Sequence, residues 1–213
     1  MTATPSWVMT YDSLTSSVLQ YLERSDPAVV AAIPTFITLC EFEIAQEIKT
    51  LGQLTLATAT MTAGNPNLQK PARWRKTVSM SITVDGKKQP VYLRKYEYLK
   101  NYSPDTSQTS NPLFYADTDW DHWYLAPTPD AAYAMEVLYY ERIAPLSSTN
   151  QTNWLTQYAP NAMLYGTLLQ PMPFLKNDAR IQMWQQQYDL IMATLKAEDQ
   201  TRTGDRQTVA IDS

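Results

Sequence analysis

The chain has one cysteine, one histidine and five glycines in 213 residues. Each scarcity excludes a class of chemistry. With Cys40 alone, no intramolecular disulfide can form and a cysteine-rich zinc site is ruled out. Cys40 falls on the apolar side of a predicted helix, which makes it a buried, inert thiol. So few glycines leave no phosphate-cradling loop. His122 is the single base open to nucleophile–histidine–acid catalysis, and no G-x-S-x-G elbow surrounds any serine. A structural role is therefore expected for His122. No apolar run approaches the roughly 18 residues of a membrane span. The N-terminus has no basic region followed by an apolar one, so no signal peptide is visible and folding in a cytoplasm is expected.

What is present is proline and aromatic side chains: 14 Pro, 14 Tyr and 6 Trp. Rigid proline corners set the chain direction. Tyr and Trp suit either a wet protein interface or a well-filled core, and both readings stay open. The net charge of −4 hides an asymmetry. Residues 1–69 carry two Lys/Arg against six Asp/Glu, residues 70–100 nine against two, and residues 101–213 six against thirteen. Lys70, Arg73, Arg75, Lys76, Lys87 and Lys88 make the middle block a candidate basic face. It can meet phosphate or an acidic protein surface, or it is an ordinary solvated face of a β domain. No aromatic-basic RNA-binding signature accompanies it.

Period and turn chemistry give the organisation. Thr10, Asp12 or Ser13 caps a first helix that runs to about Arg24, with Leu14, Val18, Leu19 and Leu22 as its apolar stripe. Asp26-Pro27 restarts the chain, and Pro34 is expected to break it, leaving a longer helix from Pro34 to Lys49. Glu41, Glu43 and Glu47 are assigned to that helix's solvated side. From Gly52 the pattern turns to β. Strands are predicted at Gln53–Thr60, Thr77–Asp85, Gln89–Arg94, Leu113–Ala116, Trp123–Ala126 and Ala132–Ile143, with Asp85-Gly86 as a hairpin turn and Ala63–Asn67 as a turn cluster. Lys95–Tyr102 reads as one or two helical turns. Helices follow at about 151–170 and 175–198, and a polar tail closes the chain. The fold class is α+β: an antiparallel helical bundle of N-terminal (1–51) and C-terminal (147–198) helices, an inserted antiparallel β-sheet domain (52–146), and an extended, disordered tail (199–213).

No constellation of reactive groups emerges. Asp117-x-Asp119-x-Asp121 resembles the start of a calcium loop, but His122 stands where glycine is needed and Thr128 where glutamate is needed. It reads as an acidic turn that cyclic repetition would make a negative ring. Glu136 and Glu141 lie five apart on one predicted strand and so face opposite sides, which removes them as a glycosidase pair. No cofactor and no metal are expected.

Several short motifs occur in order. They are Tyr11-Asp12-Ser13-Leu14, Tyr21-Leu22-Glu23-Arg24-Ser25-Asp26-Pro27, Ile33-Pro34-x-Phe36-Ile37, and Lys70-Pro71-Ala72-Arg73-Trp74-Arg75. Trp123-x-x-Ala126-Pro127-x-Pro129, Leu138-Tyr139-Tyr140-Glu141-Arg142, Asn150-Gln151-Thr152-Asn153-Trp154 and Pro173-Phe174-Leu175-Lys176-Asn177-Asp178 follow. Over residues 10 to about 195 the chain resembles the head-to-tail adaptor (connector) proteins of tailed bacteriophages, in particular those of short-tailed phages. The resemblance implies a structural, non-enzymatic virion protein at the capsid vertex, made in the host cytoplasm. It implies a ring, usually of twelve subunits, docked beneath the portal protein, bearing the tail nozzle or tail tube, and extending the channel for DNA ejection. Genomic DNA would pass without sequence-specific binding, and no membrane is involved. The resemblance further implies that the last segment, Thr208, Val209, Ala210, Ile211, Asp212 and Ser213, docks on the portal. Asp117, Asp119 and Asp121 are then candidates to face the channel. The competing readings are a DNA-binding accessory protein using the basic block and a virion cell-wall glycosidase.

Overall fold

The computed structural model describes residues 8–48, 53–171 and 179–207, without the side chains of 202–207. The tail segment Thr208–Ser213 lies outside the described residues. The chain divides into two units, Met1–Gly52 with Ile143–Ser213, and Gln53–Arg142.

The first unit is helical. Thr10 caps α1 (Tyr11–Leu22): its hydroxyl accepts from Ser13 N at 3.1 Å, and its own N–H donates to the Ser13 hydroxyl at 2.8 Å. Two otherwise orphaned N–H groups are thereby satisfied. The helix stops at Glu23, which turns left-handed at φ 53°. Pro27 then opens α2 (Pro27–Glu47). Pro34 does not end this helix, contrary to the sequence expectation. The ring removes the N–H that would bond the Val30 carbonyl, but Val30 and Pro34 both sit on the exposed side, where water can solvate that carbonyl. Helix α2 is also long and apolar enough, by length and composition alone, to cross a membrane, although no continuous apolar run in it is that long. Its packing is that of a core helix: Val29, Ile33, Ile37, Cys40 and Ile44 enter the apolar cluster, and Glu41 is buried beside them.

The helix expected over 151–170 is two helices, α4 (Trp154–Tyr158) and α5 (Pro160–Leu169). The break falls at Ala159, because a residue before proline is forced out of helical backbone. Asn153 caps α4, accepting from Thr156 N at 3.2 Å. The last helix, α6 (Arg180–Gln207), buries Trp184, Tyr188, Met192 and Leu195. It runs past the expected end near residue 198. The apolar stripe fades there, but no proline intervenes, and the Thr201 hydroxyl bonds back to the Ala197 carbonyl within the helix. Helices α1, α2, α4, α5 and α6 share one core.

Three of these helices meet at Gly166. A Cβ on Gly166 of α5 would stand 2.6 Å from Cys40 Sγ of α2 and 2.8 Å from the Tyr188 ring of α6. Both distances are well inside van der Waals contact, and both neighbours are buried.

The second unit is a curled seven-stranded sheet in the order β1-β7-β3-β4-β5-β6-β2. The strands are β1 (Leu54–Thr60), β2 (Asn67–Gln69), β3 (Trp74–Val84), β4 (Lys87–Leu93), β5 (Phe114–Asp117), β6 (His122–Ala126) and β7 (Ala134–Glu141). Asp85 and Gly86, at φ 49° and 74°, turn β3 into β4; both lie in the left-handed region that this two-residue hairpin needs. The sheet is mixed, not antiparallel as expected. Strands β4 and β5 run parallel, which is possible because α3 (Tyr96–Tyr102) and a polar loop carry the chain back between them. Strand β2, which begins at the last residue of the turn cluster, was missed because three residues carry no period. The two outer strands, β1 and β2, are consecutive in the chain, so six residues join the two edges and the sheet must curl. Inside the curl, Met80, Ile82, Trp123, Leu125, Val137 and Tyr139 form the core. Trp74 and Trp123 meet edge-on at 6.0 Å.

Replacing Gly166 by alanine is expected to destabilise the protein. The gain in helix propensity is about 1 kcal/mol, and overpacking a filled core costs about 1–3 kcal/mol. Denaturant unfolding should show a net loss of up to about 2 kcal/mol, and valine should lose more.

Candidate interaction faces

The six cations of the basic block do not form one free face. Lys70 is withdrawn from it: its side chain is 2% exposed. The backbone N–H of Lys70 donates to the Asp121 carbonyl at 2.7 Å, holding the residue against the β5–β6 turn. From there the ammonium donates to the Asp117 carboxylate and the Asp119 carbonyl, and it lies 4.0 Å from the Trp74 ring centroid. Arg73 pairs with Glu141 at 2.7 Å, Arg75 donates to Gln53 at 3.1 Å, and Lys88 pairs with Glu136 at 2.6 Å. Lys76 and Lys87 are exposed.

The acidic turn is built around the same lysine. Asp119 accepts from the backbone N–H groups of Asp121 and His122, each at 2.7 Å, and lies 3.2 Å from His122 Nδ1. Those bonds, the Asp121 amide first, hold its carboxyl below the usual range. Asp117 is committed to Lys70. The sequence motif thus brings Asp117, Asp119 and Asp121 together as a turn that grips a buried cation belonging to the chain itself. Among the described residues no group of three or more His, Cys, Asp or Glu side chains is placed to hold a metal.

Two features escaped the sequence reading. The first is an aromatic cluster where α3 lies against β5. Tyr98 and Tyr102 stack at 6.1 Å, and both meet the Phe114 ring edge-on at 5.5 and 5.0 Å. The Arg94 guanidinium lies 5.6 Å from the Phe114 centroid, and Lys100 lies 4.2 Å from the Tyr124 centroid. The signal was the spacing Tyr96-x-Tyr98-x-x-x-Tyr102, an aromatic edge on a short helix. The second is Glu41. Assigned to a solvated face, it is in fact buried, accepting from Leu146 N at 3.1 Å and from Asn153 Nδ2 at 2.6 Å. Burial pushes its carboxyl up from an ordinary 4.5 to about 7, although both hydrogen bonds pull the other way. No sequence signal separates it from Glu43; only the partners, more than 100 residues away, do so.

A family profile described as SU10 adaptor protein matches residues 9–210. No curated protein matches the chain.

The Lys70 site predicts an asymmetry. Removing Asp117 leaves a buried ammonium short of its counter-charge, whereas removing Lys70 leaves an aspartate that is already half exposed. Asp117→Asn should therefore lower unfolding free energy by on the order of 2–3 kcal/mol, and Lys70→Met by less, in denaturant titrations. Glu41 predicts a pH dependence. A carboxyl with a raised folded pKa binds its proton more tightly when folded, so stability is fullest below pH 4.5 and falls as pH climbs to about 7. The fall should be roughly 3 kcal/mol. Glu41→Gln keeps an acceptor for both donors and should flatten the stability profile over that window.

Proposed function

Because this chain belongs to the SU10 adaptor protein family of phage head–tail adaptors, we propose that it works by shape, as a repeated wedge closing a ring around passing DNA. Membership makes it a structural component of the phage head–tail junction, with portal proteins, tail proteins and copies of itself as its partners. The finer reading is ours: a ring, of twelve subunits where it matches the portal's symmetry, docks beneath the portal, prolongs the DNA channel and receives the tail or nozzle. The observation that carries it is the extent of the family match, which spans nearly the whole chain and so includes both units.

The charges support this reading over a DNA-gripping one. A protein that lets DNA slide should avoid many phosphate contacts, since each adds salt-dependent affinity. Lys70, Arg73, Arg75 and Lys88 already have partners within the chain. A glycosidase reading fares worse, because Glu136 and Glu141 are each tied to a cation and stand on opposite sides of β7. Thr208–Ser213, next in sequence after α6, remains our proposal for the segment that adds to the portal, with Val209 and Ile211 as its alternating anchors.

Electron microscopy of the full chain mixed with the portal of its phage tests this. The expected image is a ring stacked on the portal with matching symmetry, and a chain ending at Gln207 that forms no such stack. A full-length chain that stays solitary beside the portal, or that turns over peptidoglycan, contradicts the proposal.

A further inference from the structure

Two helices of the first unit carry uncharged faces that the unit's own core does not use. Along α2, Ala28, Ala31, Thr35, Leu39 and Phe42 line the side away from Cys40, and all are exposed. Leu39 is 45% and Phe42 61% exposed. No charged residue occurs between Pro27 and Cys40. Along α6, Met183, Gln187, Leu190, Thr194 and Ala197 line the side away from Tyr188. Met183 is 54% and Leu190 65% exposed, and they stand one heptad apart. Two charged neighbours on α6 are drawn aside, and Glu198 stands exposed just past the end of the face. Asp189 takes a hydrogen bond from Gln185, and Lys196 pairs with Glu47.

We infer that these two faces are the two halves of one contact between copies: α6 of one subunit packs along α2 of the next. The inference rests on the adaptor reading above, and it supplies what that reading lacks, namely which surfaces join. Three observations favour a second copy as the occupant. A ring contact is heterologous and needs two different patches on each subunit, whereas a twofold dimer needs only one. Among the described residues, two such patches lie on two helices of a single unit. They match in length, since each covers fifteen residues, or about 21 Å of helix. They also match in character, because each is uncharged, so neither leaves an unpaired charge on burial. Both faces repeat at three- and four-residue steps, with Leu39 and Phe42 as the large side chains on one and Met183 and Leu190 on the other, so the ridges of one helix can enter the grooves of the other.

Disulfide trapping in the full chain tests the pairing. Cys40 is buried, with burial pushing its thiol up to about 12, so it does not compete. Under mild oxidation, the double variant Leu39→Cys/Leu190→Cys should give a ladder of covalent multimers extending beyond the dimer. Leu39→Cys alone and Leu190→Cys alone should stay monomeric. A double variant that stops at the dimer, or a single variant that dimerises as well as the double, overturns the inference. So does a double variant that stays monomeric. A second measurement separates this pairing from the adaptor reading itself. Leu39→Glu/Phe42→Glu, whose substitutions lie on an exposed face, should melt as the native chain does but form no ring on the portal in micrographs. Rings that persist on the portal overturn the pairing and leave the adaptor reading standing. Rings that form normally but no longer stack on the portal show that α2 meets the portal instead, which also overturns the pairing. A native chain that forms no ring even with the portal removes the adaptor reading, and the inference with it.

Discussion

The helical unit depends on the absence of one side chain. At Gly166 the backbone of α5 comes close enough to α2 and α6 that a single methyl group would strike both Cys40 and Tyr188. At such distances something must shift, and both neighbours are buried side chains in a close-packed interior. The consequences spread outward. Cys40 is buried there, and burial pushes its thiol up to about 12. Tyr188 fills the junction with its ring, and burial raises its phenol well above the ordinary range. Glu41, one residue along α2 from Cys40, is carried inward to Leu146 and Asn153, where it ties the segment before α4 to the core. The sides of α2 and α6 that point away from the junction are left exposed.

The sheet unit rests on a different device, a charge turned inward. Lys70 threads its ammonium into the β5–β6 turn, so an acidic motif and a basic motif cancel within the subunit. Arg73, Arg75 and Lys88 find partners too. Four of the six cations in the block are thus engaged within the chain, which is what the proposed channel role asks for. The same economy appears at Trp120, an exposed ring covered on one side by Arg142 at 4.5 Å.

Local signals were legible in the sequence and long-range ones were not. The Thr10 cap and the Asp85-Gly86 turn are decided within four residues, and both stand where the residue types put them. The strand positions other than β2 were legible for the same reason, because alternation is local. Prolines misled in both directions. Pro34 was tolerated because its lost hydrogen bond faces water, while Pro160 broke a helix that periodicity alone carried through. The parallel pairing of β4 with β5 depends on where a crossover returns, which no period encodes. The acidic and basic motifs were visible as residues, but their union was not, since Lys70 and Asp117 lie 47 positions apart. Glu41 was misplaced because a helix wheel cannot foresee an asparagine arriving from 112 residues away.

The central claim is that closest approach at Gly166 sets the helical unit and hence the faces it offers. A double-mutant cycle between Gly166→Ala and Cys40→Ala, read by denaturant unfolding, tests it most directly. If the added methyl is resisted by the Cys40 sulfur, removing that sulfur must relieve part of the clash, while the Tyr188 ring keeps the rest. The account predicts that the double variant is more stable than the sum of the single losses by on the order of 1 kcal/mol. Losses that add within about 0.4 kcal/mol would contradict it.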